Sequence, residues 1–259
     1  MGFELNDRVM GLNVQLQSFM DKHIYPREHD WHEWCLDQDK LWTTPPWYDE
    51  LRALAKAEGL WNLFLPHEYQ PWSPGLTNVE IAPLFETMSK VSWAQSVFNC
   101  NAPDRGNMEV LAKYGTEAQQ KEWLQPLLAG EIRSAYAMTE PQVASSDATN
   151  MELEIKRDGD EYVLNGRKWW TTGAVNPRCK VMLVMGKSNP ENPRHRQHST
   201  ILVPRDTPGI KLVRELRVFD SLHSPAGEAE LLFEDVRVPV TNMITVSYTH
   251  LRAHETDRH

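Results

Sequence analysis

The sequence predicts an α+β multidomain chain: an α-helical domain over residues 1–130, a β-barrel domain over 131–240, and a tail over 241–259 that belongs to neither. Three observations carry this. In the first half, apolar residues recur at spacings of three and four behind two helix-start boxes, Thr77-Asn-Val-Glu80 and Thr116-Glu-Ala-Gln119. From Glu131 the period drops to two, broken by the turn dipeptides Asp158-Gly159 and Asn165-Gly166. Finally, there is no βαβ alternation and no G-x-G-x-x-G, which argues against a Rossmann nucleotide site.

Leu5, Val9, Leu12, Leu16 and Phe19 share one helical face, and Pro26 is expected to stop that helix. The stretch with Trp31, Trp34, Trp42, Pro45, Pro46 and Trp47 has no clean period and reads as an aromatic loop. Leu51, Leu54 and Ala55 restart a stripe that Gly59 closes as a left-handed cap. After Thr77, the residues Ile81, Leu84, Phe85 and Met88 form the next buried face. Gly115 reads as a cap ahead of Thr116. Trp123, Leu124, Leu127 and Leu128 follow, with Pro126 shortening the helix and Gly130 closing it.

In the second half, Met151–Arg157 alternates Leu153 and Ile155 against charged residues, as a half-buried strand does. Val181–Met185, Ile201–Val203 and Glu228–Phe233 read as further strands, and Pro208-Gly209 as a turn. Several short strands with regular turns suggest a barrel or sandwich.

Twenty-seven basic against 36 acidic residues give a net charge of −9. That argues against a nucleic-acid surface or a polybasic membrane patch. No apolar run approaches the ~20 residues needed to span a bilayer, and no signal peptide is evident. The three cysteines match no zinc or CxxC spacing and read as reduced thiols of a cytoplasmic protein. His29 and His32 are weak metal candidates and no metal site is assigned. The basic loop 189–198 reads as a solvated hairpin tip rather than a phosphate site.

Two segments carry chemistry. Residues 136–147 run from a strand into a turn of small and hydroxylic residues, whose amides and hydroxyls suit a polar cofactor edge. An ordinary barrel turn would have the same composition. Lys168-Trp-Trp-Thr-Thr172 sets two indoles beside two hydroxyls, a flat apolar wall with hydrogen-bonding groups that suits a planar ring. Alternation along a strand places Trp169 and Trp170 on opposite faces, so only one indole is expected at such a site.

Together these segments resemble the flavin-binding signature of the acyl-CoA dehydrogenase family. Tyr136, Met138, Thr139 and Glu140 match its Tyr-x-x-Thr-Glu-Pro turn, and Trp170, Thr171 and Thr172 its Trp-x-Thr strand. Ser146 and Asp147 fall on its Ser-Asp, which leaves one extra residue around Gln142–Ser145, where the family has glycines. Gly75-Leu-Thr-Asn-Val-Glu80, Ala82-Pro83-Leu84 and Phe233-Glu-Asp-Val-Arg-Val-Pro239 also match. The run from Asn99 to Val110 resembles the subgroup of family members ten and eleven. The resemblance covers about residue 4 to about residue 240.

The resemblance implies a helical domain, a barrel and then a four-helix bundle, the last expected to be absent from this chain. It implies FAD contacts from Tyr136, Met138, Thr139, Ser145, Ser146, Trp170, Thr171 and Thr172, with Ser146 also the substrate contact. The implied reaction takes a proton from the α-carbon of an acyl-CoA and hydride from its β-carbon to FAD. Electron-transfer flavoprotein is the implied acceptor and a homo-oligomer the implied assembly. The family's carboxylate base comes from its third domain, so no catalytic residue is assigned here. Acyl-CoA oxidase, a nitroalkane-oxidase-like enzyme and a non-catalytic flavin-binding module are the alternatives. From Thr245 the sequence has no period, cap or stripe and reads as non-native.

Overall fold

The computed structural model describes residues 6–222 and 224–244. They divide into two compact units between Glu109 and Val110, inside helix α6 (Asp104–Tyr114).

The first unit is helical. Helix α1 (Asp7–Phe19) is capped by Asn6, whose side chain accepts from Val9 N, and it buries Val9, Leu16 and Phe19. Leu5, expected on the same face, lies outside the described residues. Pro26 does not end helicity. The chain widens into a π turn (Met20–Ile24), tightens through Tyr25–Arg27, and continues as α2 (Glu28–Leu36). A proline in the first turn of a new helix removes no hydrogen bond, which is why it is tolerated there.

Trp31 and Trp34 therefore lie on a helix rather than in the expected aromatic loop. Trp31 stacks on Trp93 with centroids 4.8 Å apart. His29 and His32 are exposed on α2. Helix α3 (Tyr48–Ala57) ends at Gly59, whose φ of 71° is the expected left-handed cap. Helix α4 (Asn78–Met88) begins with the predicted capping box: Thr77 N donates to Glu80 Oε2 at 2.7 Å and Glu80 N to Thr77 Oγ1 at 3.3 Å. Thr87 Oγ1 donates to Asn13 Oδ1 at 2.8 Å, joining α4 to α1. The short helix α5 (Ala94–Val97) follows.

The second unit starts within α6 and continues through α7 (Glu117–Gln119), a π turn (Gln120–Leu124) and α8 (Gln125–Ala129). The Thr116–Gln119 box forms, and Gly130 closes the run at φ 70°. Gly115 is not a left-handed cap. Its lack of a Cβ admits the Leu111 carbonyl, which an added Cβ would meet at 2.6 Å.

Eight strands form one sheet: β1 (Arg133–Ala137), β2 (Glu154–Asp158), β3 (Glu161–Thr172), β4 (Cys179–Lys187), β5 (His198–Pro204), β6 (Ile210–Leu216), β7 (Glu228–Pro239) and β8 (Met243–Ile244). Their order is β6-β7-β3-β2-β4-β5-β8, with β1 parallel to β4. Among the described residues β6 and β8 end this path without pairing to each other, so the barrel-like sheet is open. Leu164, Leu231 and Phe233 from one wing and Met182, Ile201 and Val203 from the other belong to a single core cluster. The sheet thus wraps one core. Met243 and Ile244 pair with β5, carrying the sheet past residue 240; the tail from Thr245 lies outside the described residues.

Asp158-Gly159 makes the expected β2–β3 hairpin. Asn165-Gly166 does not turn the chain. It lies inside β3, where the ladder to β7 shifts register. Gly166 has a φ of 151°, and a Cβ there would meet Leu153 Cα at 2.8 Å. The glycine serves a close approach, not a hairpin. Loop 189–198 joins β4 to β5 with Arg194, His195 and Arg196 exposed.

Candidate functional site

The site is built where the turn after β1 meets β3. Thr139 and Trp169 bond twice: Thr139 Oγ1 donates to Trp169 O at 2.7 Å, and Trp169 N donates to Thr139 O at 3.0 Å. One step along β3, the fully buried Lys168 Nζ donates to Met138 O at 2.7 Å and to Glu140 Oε1 at 2.8 Å. The Glu140 carboxylate also accepts from Glu152 N at 2.7 Å and Leu153 N at 2.9 Å, while Glu140 N donates to Ser145 Oγ at 2.6 Å. One buried ion pair therefore fastens both ends of the 138–153 segment to β3.

Such a pair is tolerable only because its donors and acceptors are met inside the protein. Burial pushes the Lys168 ammonium down to about 8, with the Glu140 charge opposing the shift. His198 is also held below its ordinary value, first by burial and then by the charges of Lys187 and Lys168.

Between Lys168 and Thr171 the ladder to β7 shifts, and Trp170 takes a φ of 52°. This bulge breaks the alternation that would separate the two indoles. Their centroids instead lie 5.9 Å apart at 52°. An extra residue in one strand resets which face its side chains take. Trp170 stays 41% exposed, a large apolar ring in a strained conformation, which is the kind of outlier that marks function. Beyond the bulge Thr171 is fully buried, and among the described residues its Oγ1 has no hydrogen-bond partner. Thr172 Oγ1 donates to Glu228 Oε2 at 2.6 Å.

The fold thus brings Met138, Thr139, Ser145 and Trp170 together through the Lys168–Glu140 brace and the Thr139–Trp169 bonds. Tyr136 lies on β1 with its hydroxyl 3.8 Å from Met185 Sδ. Ser145 is buried, whereas Ser146 is exposed at the rim of the turn. Sequence reasoning did not single out Lys168 or Glu228. Lys168 had a signal: it shares strand parity with the core residue Leu164, so a lysine there needs a buried partner. Glu228 had none, because its pairing with Thr172 depends on a register set by the bulge.

Residues 12–131 match the family model of the acyl-CoA dehydrogenase N-terminal domain, and residues 135–236 match that of the acyl-CoA dehydrogenase middle domain. The chain belongs to the acyl-CoA dehydrogenase family. Mouse acyl-CoA dehydrogenase family member 10 is 50% identical over 93% of this chain. The Mycobacterium tuberculosis relative, probable acyl-CoA dehydrogenase FadE2, is 47% identical over 94% of it. The chain spans 23% of the first relative's length and 59% of the second's. A solved structure from Mycobacterium abscessus, named there as a candidate acyl-CoA dehydrogenase, superposes with a TM-score of 0.91 at 44% identity, covering 97% of this chain and 63% of that one. The acyl-CoA dehydrogenase of Geobacillus kaustophilus gives 0.72 at 26% identity, with 97% and 62% covered.

Acyl-CoA dehydrogenases are flavoproteins, and the residues here suit a planar, hydrogen-bonding ring. Trp170 offers an exposed aromatic face, and Thr172 is half-buried with its hydroxyl on Glu228. The Thr171 hydroxyl is turned into the fold, so that residue has only its backbone to offer.

Proposed function

We propose that this chain supplies the flavin-contacting face of a dehydrogenase that removes hydrogen from the α and β carbons of an acyl-CoA. The observation that supports it is the pair of hydrogen bonds between Thr139 and Trp169, which joins two segments 30 residues apart and leaves the Trp170 indole exposed beside them. In this reading FAD is contacted by Tyr136, Met138, Thr139, Ser145, Ser146, Trp170 and Thr172, with Thr171 acting through its backbone. Ser146, at the exposed rim, also meets the acyl-CoA.

FAD, when bound, takes up the electrons released by the substrate. The protein orients and shields: Trp170 covers a ring face from water, and the Lys168–Glu140 brace holds the Thr139 turn at a fixed distance from β3. No residue within 1–259 is assigned as the base that removes the α-proton. The 259-residue polypeptide, taken alone, is therefore expected to hold FAD weakly and not to turn over. Electron-transfer flavoprotein as acceptor, a homo-oligomeric assembly and a cytoplasmic location complete the proposal. Among the described residues no helix is long and apolar enough to cross a membrane. The test is to assay the purified chain with added FAD, an artificial acceptor, and short, long and hydroxylated acyl-CoAs. Rates equal to free flavin are expected, and clear turnover would place a base within residues 1–259.

A further inference from the structure

Glu228 opens β7 and stands directly across the ladder from Thr172, with Leu216 of β6 on its other side. It is thus held in a central strand rather than on a loop. On the same face two residues on, Glu230 is buried and binds Arg167 Nε at 2.7 Å and Arg214 Nε at 2.6 Å. Those two arginines bind Glu230, and the Glu228 carboxylate accepts from Thr172 Oγ1 at 2.6 Å. That length lies within the range of O–H···O⁻ bonds, which are roughly twice as strong as neutral ones. A hydroxyl has one proton and two lone pairs. With its proton given to Glu228, Thr172 has only lone pairs to offer a further partner.

We infer that Glu228 is a positioning residue that fixes the proton of Thr172 and so makes this hydroxyl an acceptor toward the flavin. The inference rests on the reading that Thr172 meets FAD. The flavin nitrogen at ring position 5 is bare in the oxidised form and carries N–H in the reduced form, and it is this nitrogen that Thr172 would meet. An acceptor therefore favours the reduced ring, and a donor would favour the oxidised one. In this chain the Thr172–Glu228 couple biases the site toward reduced flavin.

The test has two arms. Without ligand, the Thr172 hydroxyl proton of the native chain should give an NMR resonance protected from exchange, lost in Glu228→Ala. Absence of that resonance in the native chain would overturn the inference whatever FAD does. With ligand, affinities for oxidised and reduced FAD are measured in the native chain, E228A, T172V and the double variant. Loss of the carboxylate charge acts in both backgrounds alike, so the cycle isolates the hydroxyl. We expect E228A to lower the preference for reduced FAD about tenfold more when Thr172 is present, the worth of one hydrogen bond. Effects equal within about twofold in the two backgrounds would overturn it. E228Q, which keeps the side-chain volume, replaces E228A if the latter does not fold. If the resonance is present but neither form of FAD binds, the flavin reading fails and the acceptor role with it.

Discussion

Replacing Lys168 by methionine removes the brace while nearly preserving volume. Lys168 gives two hydrogen bonds, one to Met138 O and one to Glu140 Oε1, and it is fully buried. Without it the Glu140 carboxylate keeps, among the described residues, the Glu152 and Leu153 amides and remains an uncompensated charge in the fold. Breaking a buried pair from one side typically costs about 3–5 kcal/mol. For a chain of this size each kcal/mol moves Tm by roughly 2–4 °C, so a fall of about 10 °C is expected. Thermal unfolding followed by circular dichroism measures it. Adding Glu140→Gln to K168M should recover part of the loss, because it removes the charge and keeps one acceptor.

The same lysine gives a pH signature. Its pKa in the fold is lowered to about 8, below the ordinary 10.5. Between these values the unfolded chain holds more protons, so stability should rise as pH increases through about 8 toward 10.5. K168M should lack that rise. A variant within about 0.5 kcal/mol of native with an unchanged pH profile would refute the argument that Lys168 carries the turn.

Other variants test the remaining pieces. Thr172→Val should weaken the binding of reduced FAD by about 0.5–1.5 kcal/mol, read by anaerobic titration, while leaving the fold intact; unchanged affinity for both forms of FAD would remove Thr172 from the site. Trp170→Gly should leave stability unchanged or slightly raised, because glycine accepts the φ of 52° without cost, yet weaken FAD binding. A large loss of stability would show that the indole is core instead. Gly166→Ala should destabilise the chain by several kcal/mol in urea unfolding, since its Cβ would lie 2.8 Å from Leu153 Cα. Thr77→Ala should cost about 1 kcal/mol, the worth of the cap that starts α4.

Much of this molecule was legible in the residues. Both capping boxes and the Gly59 and Gly130 stops formed as read, because each depends only on neighbours within one helical turn. What failed depended on partners distant in sequence. Asn165-Gly166 has the composition of a hairpin, but the strand runs on through it, and Leu153 approaches Gly166 from another segment. Pro26 looked like a stop, yet it falls where a new helix begins. The site showed the same division. The aromatic and hydroxyl composition of residues 169–172 was visible, whereas the bulge that brings the two indoles together is set by the ladder to β7. Lys168 was half legible: its inward parity demands a partner, but nothing in the sequence names Glu140 as that partner.

The central claim is that the Thr139 turn and the Trp170–Thr172 bulge together form the flavin surface. Hydrogen exchange of the 259-residue chain, with and without millimolar FAD, tests it most directly. The account predicts protection concentrated in residues 138–147 and 169–173, reduced in both segments by K168M. FAD binding that protects other segments and leaves these two unchanged, or no protection of any segment at millimolar FAD, would contradict it.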